Sequence, residues 1–374
     1  MLSELERETA RESDAVTEAR RVMQICNACR YCEGLCATFQ SMVRKREFPE
    51  PELDYLANLC HNCTACFHVC PYSPPHLIDL NVPQSLTALR VETYEKYAWP
   101  GFLATLLRRN GLAVSMVTAF SLSLVLVLVI VLRDASVLFS SHVEAGSFYE
   151  VIGQNVMIAV AGGTFGFSIL AMFIGVVRFW FSTQRSSRVR VGIGSLLRAL
   201  WDVVTLKNLG GGHNEGCTTR DESYSNQRRV FHQFTMWGFL FCFVSTSVAA
   251  FYDHMMGWVA PYPLLSVPVV FGSLGGLGLL IGPPGLLWVK LQSDSRPMLL
   301  RHYGMDYAFL ALLFFISLTG LLLLALRETS AMGIVLAVHL GFVLGFFLLM
   351  PYCKFVHGIY RFAALVRFHG KPVG

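Results

Sequence analysis

Residues 26–36 read CNACRYCEGLC, and residues 60–71 read CHNCTACFHVCP. Each stretch spaces four cysteines by two, two and three residues: Cys26, Cys29, Cys32 and Cys36, then Cys60, Cys63, Cys66 and Cys70, the last followed by Pro71. In such a run three closely spaced thiolates hold three corners of a [4Fe–4S] cubane, and the fourth cysteine reaches the neighbouring cluster. The expected ligand sets are therefore Cys26, Cys29, Cys32 with Cys70, and Cys60, Cys63, Cys66 with Cys36. Zinc is the alternative, but its sites take ligands in pairs and have no use for two successive x2 steps closed by an x3. The pattern occurs twice, which points to two [4Fe–4S] clusters. His61 and His68 lie inside the second run and read as solvated side chains or as donors to cluster sulfur, since the thiolate ligands are already complete.

Eight of the eleven cysteines fall between Cys26 and Cys70 of a 374-residue chain, and its first hundred residues are polar. Beyond Trp99-Pro100-Gly101 the sequence changes character. Charged residues make up 15% of the whole and mean hydropathy is +0.50, whereas an ordinary soluble protein is roughly 25% charged. Two domains are expected, residues 1–100 and 101–374. The opening segment SELERETARESD at 3–14 has neither the basic nor the apolar region of a secretory signal, so no cleavable export of the cysteine domain is expected. In a reducing compartment such a cysteine cluster reads as metal-binding, not as a disulfide framework.

Six later stretches are long enough to cross a bilayer, which takes about 20 helical residues. They run near 112–132, 151–181, 230–252, 264–288, 307–326 and 331–352. With the N-terminus inside, the inner loops and tail carry fifteen Lys and Arg against two in the outer loops. This positive-inside bias places the cysteine domain and both termini in the cytoplasm and the helices in the inner, cytoplasmic membrane. It also accounts for the net charge of +5 without invoking nucleic acid. The expected fold class is all-α: a helical ferredoxin-like 2[4Fe–4S] domain joined to a six-helix transmembrane bundle of cytochrome b type. The glycine-rich stretch VVFGSLGGLGLLIGPPGLLW at 269–288 lacks the strand-turn-helix context of a dinucleotide fingerprint and reads as a close-packing face or as backbone open to a flat macrocycle.

Histidines inside a bilayer are costly and mark function. His339 and His357 are eighteen residues apart, which on one continuous helix puts them on the same face about 27 Å apart. On the third stretch His232 lies near the inner end and His254 at the outer end. Matched by depth, His232 pairs with His357 and His339 with His254 as ligands of one or two haem b groups. His302 and Asp306, one turn apart, suggest a site of proton exchange with quinone, a substitute ligand for His232, or an interfacial ion cluster.

The segments CRYCEGLCATF (29–39), YLANLCHNCTACFHVCPYSPPH (55–76), NVPQSL (81–86), YAWPG (97–101), RRVFHQF (228–234), APYPLLSVPV (260–269), TGLLLLALRET (319–329) and VHLGFVLGFFLLMPYCKFVHGIYR (338–361) together resemble tricarballylate-utilisation protein B, also called citrate-utilisation protein B. The resemblance implies a membrane protein with iron–sulfur clusters and haem. Such a protein reoxidises the reduced flavin of a separate FAD-dependent tricarballylate dehydrogenase and passes electrons into the membrane, with quinone as the expected acceptor. All eight cysteines match the family runs, and its haem-region histidines fall on His232, His339 and His357. The loop at 210–222 departs from the family, and no role is carried over to Cys217 or His213. Rival readings are an iron–sulfur and cytochrome b subunit of another respiratory oxidoreductase, or a redox-regulated component of a carboxylate transport system.

Overall fold

The computed structural model describes residues 12–107, 111–211, 215–299 and 303–373. His213 and His302 lie outside the described residues.

In the N-terminal segment the cysteines sit where helices begin and end. Helix α1 (Asp14–Cys29) starts at Ser13, whose hydroxyl accepts the Val16 N–H at 3.3 Å, and stops at Arg30 in the left-handed region. Its last turn carries Cys26 and Cys29. Helix α2 (Ala37–Met42) opens directly after Cys36, α3 (Glu50–Leu59) closes at Cys60, and the single turn α4 (Ala65–His68) contains Cys66. Helix α5 (Val82–Lys96) is capped by Asn81, whose side-chain oxygen accepts the Gln84 N–H. Val22, Met23, Met42, Leu53, Leu56, Leu59 and Leu86 are fully buried between these helices, each such side chain contributing about 1.5–3 kcal/mol.

Short helix α6 (Gly101–Leu107) leads to the apolar half. Six helices among the described residues are long and apolar enough to cross a membrane, which fits a multi-pass membrane protein. The first is α7 (Gly111–Leu132), and after the short helix α8 (Ser147–Val151) comes α9 (Gln154–Ser186), which contains one π-helical turn at Ile158–Gly162. The surface helix α10 (Ile193–Val204) precedes the spans α11 (Gln227–Met256), α12 (Val267–Gln292), α13 (Tyr303–Leu326) and α14 (Met332–Leu349), and α15 (His357–His369) closes the chain. The expected stretches reappear with shifted ends. Among the described residues sheet is confined to two small antiparallel pairs: β1 (Val189–Arg190) with β4 (Lys371–Pro372), and β2 (Cys217–Thr218) with β3 (Tyr224–Ser225).

One expectation fails. The sixth stretch does not run on to His357 as a single helix. Pro351 has no N–H to offer the Phe347 carbonyl four residues earlier, and the Ser168 hydroxyl of α9 donates to that carbonyl instead. The chain leaves α14 at Leu349, makes a 3-10 turn at Lys354–Val356 and restarts as α15 at His357. His339 and His357 therefore stand on different helices, and continuous-helix geometry does not relate them.

The two halves share one hydrophobic core, in which Tyr94 stacks on Tyr360 with ring centroids 5.5 Å apart and Tyr97 meets Phe179 edge-on at 5.5 Å. Buried polar contacts reinforce it. Arg367 of α15 donates to Glu52 of α3 at 2.7 Å while stacking over the Tyr55 ring, with both charged side chains almost wholly buried. The Tyr97 hydroxyl donates to Asp54 and lies 2.9 Å from the Ser182 hydroxyl of α9. Breaking a buried pair such as Glu52–Arg367 by removing one partner costs about 3–5 kcal/mol.

The glycine-rich stretch is the packing face of α12. A Cβ at Gly275, Gly278 or Gly282 would fall within 2.4–2.9 Å of α11 atoms, chiefly the backbone at Gly238, Phe234 and Phe231 and the Thr235 side chain. Only glycine lets the two helices approach so closely. Replacing Gly278 by Leu is expected to destabilise the bundle by about 1–3 kcal/mol or more, read as a lower unfolding midpoint in detergent. Gly166→Ala on α9, where a Cβ meets nothing within 4 Å, serves as the control and should leave the midpoint in place. Equal midpoints for the two variants would contradict this packing.

Candidate functional site

The loop that follows α3 carries the second cysteine run. Asn62 (φ 53) and Thr64 (φ 64) hold left-handed backbone on either side of Cys63. For a β-branched threonine that conformation is a genuine outlier, and such strain persists only where the surroundings impose it. The effect is to wrap the loop round a small pocket lined by Cys36, Cys60, Cys63 and Cys66 together with apolar Phe39 and Leu86. Burial pushes the Cys63 thiol up to about 12, with Cys217, Cys36 and Cys60 adding to it. Cys66 is raised for the same reason, burial first and then Cys63, Cys60 and Cys36.

Cys26, Cys29, Cys32 and Cys70 form the other set. Cys26 is pushed up to about 12 by burial and then by Cys70, Cys32 and Cys29, and Cys32 to about 11 by burial, Cys70 and Cys29. Free thiols so raised stay protonated at neutral pH, and a bound metal inverts that by taking the thiolate. None of the eleven cysteines is in a disulfide. Among the described residues no three or more His, Cys, Asp or Glu side chains converge as ligands of a single ion do. A cubane asks for less convergence, because each thiolate meets a different iron. The two sets also differ in access. Cys29 is exposed and adjoins Tyr31, which is 69% exposed, whereas the Cys60–Cys63 loop is covered by the apolar half.

Three guanidinium groups bond to the loop, Arg228 and Arg361 from the apolar half and Arg90 from the N-terminal segment itself. Arg90 of α5 donates to the carbonyls of Ala57 (3.2 Å) and Cys60 (2.7 Å). Arg361 of α15 donates to the Cys60 carbonyl at 3.1 Å. Arg228 of α11 donates to the carbonyls of Asn62 (2.6 Å) and His61 (3.4 Å) and approaches the Cys217 sulfur at 3.9 Å. Burial and the neighbouring Arg90 pull Arg361 down to about 10, so it remains charged at neutral pH. The β2–β3 pair adds a flap, with the Thr218 N–H donating to the Cys63 carbonyl and the Thr64 hydroxyl to the Thr218 carbonyl.

Behind the arginines stand His232 and His357, their ring centroids 6.1 Å apart at 75°. His357 Nδ1 donates to the Lys354 carbonyl, which fixes the ring. His232 Nδ1 is buried without a hydrogen-bond partner. Phe239, two helical turns beyond His232 on α11, and Phe355, two residues before His357, pack against each other and against Phe346, with centroids 5.2–5.8 Å apart. Lys290 and Lys354 both pair with the Asp306 carboxylate. It thereby anchors the turn whose carbonyl orients His357. Among the three readings for His302 and Asp306, the carboxylate fits an ion cluster, with lysines as its partners.

His339 shares a 3.1 Å hydrogen bond with the Thr319 hydroxyl and its ring fills the notch left by Gly320. His254 is exposed and has Asp253 at 3.6 Å. The described contacts of His339 thus run to α13 and those of His254 to its own helix end, and the structure does not bring the two rings together. His61 and His68 are largely buried and not solvated. His61 Nδ1 donates to the Leu59 carbonyl at 2.8 Å, and burial with Arg361 and Arg90 holds it well below its usual value. His68 packs on Phe67 and faces Asp294 at 3.9 Å.

Sequence reasoning missed Arg90, Arg228, Arg361 and Lys354. A signal existed for two of them. Arg228 precedes His232 by four residues and Arg361 follows His357 by four, so each arginine shares a helix face with its histidine. Arg90 offered no comparable hint.

A helical N-terminal segment with two ferredoxin-like cysteine runs, set on six apolar helices, fits a class of multi-pass membrane protein with a ferredoxin-like module. The family profile for citrate utilization protein B matches residues 104–372, and that for the citrate utilization protein B Fer4-like domain matches residues 19–96. The chain is 45% identical over 363 residues to citrate utilization protein B of Escherichia coli, covering 96% of this chain and 94% of that protein. It belongs to the citrate utilization protein B family. No solved structure matches it.

Arg361→Ala takes one donor from the Cys60 carbonyl and leaves that buried group less satisfied, at a cost of about 1–3 kcal/mol. Amide hydrogen exchange of residues 60–63 should accelerate while α1 is unaffected. Unchanged exchange in the loop would show that the guanidinium does not hold it.

Proposed function

We propose that this chain is the membrane-bound electron-transfer partner of a soluble FAD-dependent dehydrogenase of the tricarballylate type, reoxidising its flavin and delivering the electrons to membrane quinone. The observation that carries this reading is the asymmetry of the two thiol sets: one reaches the surface at Cys29, the other is clamped by Arg90, Arg228 and Arg361 against the buried His232–His357 pair. The donor sets suit two [4Fe–4S] clusters, held by Cys26, Cys29, Cys32, Cys70 and by Cys60, Cys63, Cys66, Cys36, and the cavity bounded by the second four supports it. A haem b suits His232 and His357, because one ring nitrogen is buried without a partner and the other ring is oriented by a backbone carbonyl, the usual second partner of a ligating histidine. When bound, these groups supply one-electron transfer.

The protein's own contribution is position and charge. Exposed Cys29 and Tyr31 mark the face for the flavoprotein. The guanidiniums place positive charge beside the inner thiol set, which favours the more reduced, more negative state there over the set at the surface. The phenylalanines round His232 and His357 keep water away. Asp306, through Lys354, holds His357 in its rotamer. His339 remains a candidate ligand for a second haem toward the far side of the membrane, where the Gly320 notch gives its ring room.

Anaerobic reconstitution is expected to load about eight irons and eight sulfides per chain, as two cubanes require. Cys63→Ser should lose close to half of both and abolish reduction by the flavoprotein, with membrane insertion intact. Zinc without acid-labile sulfide would contradict the assignment.

Alanine at His232 or at His357 should convert a low-spin haem spectrum to high-spin or remove it, and His339→Ala should leave that haem in place. If both inner variants kept a wild-type low-spin spectrum, the pair would not be the ligands.

A further inference from the structure

Helix α10 has its faces reversed for a helix in water. Ser195, Ala199 and Asp202 point inward: the Ser195 hydroxyl donates to the His369 carbonyl at 3.1 Å, Asp202 accepts from His369 Nε2 at 2.8 Å, and Ala199 is fully buried. The opposite stripe is apolar and open, with Ile193 77%, Leu197 60%, Leu200 50% and Trp201 67% exposed. Spacings of three and four residues put all four on one face. Six residues separate this helix from the end of the span α9, whose own outer surface exposes Phe173 and Phe181. Arg185, Arg188 and Arg190 lead into it, Arg198 lies on it, and all four are exposed, whereas the one carboxylate on α10, Asp202, is turned inward onto His369.

We infer that α10 lies in the plane of the membrane interface on the side of the cysteine domain, its apolar face in the acyl region and its arginines on anionic phospholipid headgroups. An amphipathic helix with a basic flank binds in this way. Its occupant is lipid because the apolar stripe continues from a lipid-facing span and the flank is cationic, while the exposed thiol set that a redox partner must approach belongs to other elements. The helix is pinned to α15 through His369, and α15 carries His357, Arg361 and Arg367. Lipid contact thus braces the element that holds the inner site.

The full-length chain, with p-benzoylphenylalanine placed at Leu197 or, as a control, at exposed Asp221, is put in nanodiscs of phosphatidylethanolamine and phosphatidylglycerol and irradiated. Phospholipid adducts at 197 and none at 221 are expected. Fewer adducts are expected in phosphatidylcholine discs and in the Arg188→Ser, Arg198→Ser double variant. Trp201 provides a second readout: the emission difference between wild type and Trp201→Phe should be quenched by brominated lipid. Crosslinks from 197 to a second copy or to added flavoprotein in place of lipid, or a Trp201 contribution indifferent to brominated lipid, would overturn the inference.

Discussion

Burying cations is expensive unless something negative or strongly polar meets them, and the Arg90, Arg228 and Arg361 guanidiniums are gathered from three separate helices onto one short loop. They meet carbonyl oxygens of Ala57, Cys60, His61 and Asn62. Hydrogen bonds to charged groups contribute about 1.5–3 kcal/mol each, so Arg228 and Arg361 hold the loop and the apolar half in one register by backbone capture, and Arg90 fixes the loop from its own side. Side-chain identity in the loop matters less to this clamp than the path of its backbone, which explains the left-handed Asn62 and Thr64. Thiolates bound to iron would bring further negative charge to the same place. The rest of the site follows from that registry.

From the clamp outward, each neighbouring feature has a positional role. Arg228 and Arg361 lie one helical turn from His232 and His357, so the groups that fix the loop also fix the two imidazoles relative to it. Pro351 breaks the last span early enough for α15 to start at His357 and turn back towards α3, where Arg367 meets Glu52. Ser168 satisfies the carbonyl that the proline leaves free. Without the break, the imidazole would continue along the bundle axis and Arg361 would not reach Cys60.

The eight cysteines, the six spans and the nearness of His232 to His357 were legible because each rests on a local pattern: a spacing, a run length, a depth. The His339–His357 relation was misread because a hydrophobic run does not reveal where proline ends a helix when a distant serine makes the break tolerable. His254 looked like a ligand by depth alone, and its exposure is set by tertiary packing. Asp306 was recognised as charged and near the interface, but its partners Lys290 and Lys354 come from separate elements. Arg90 was invisible for the same reason: its carbonyl partners lie 30 and 33 residues away along the chain.

The central claim is that the inner thiol set and the His232–His357 pair form one redox unit across the arginine clamp. Spin relaxation of the reduced clusters, followed by electron paramagnetic resonance with the haem iron first oxidised and then reduced, tests it most directly. Two cubane signals are expected, one of which relaxes faster while the haem iron is paramagnetic and slows when it is reduced. The absence of any cubane signal, or two signals equally indifferent to the state of the haem, would contradict the account.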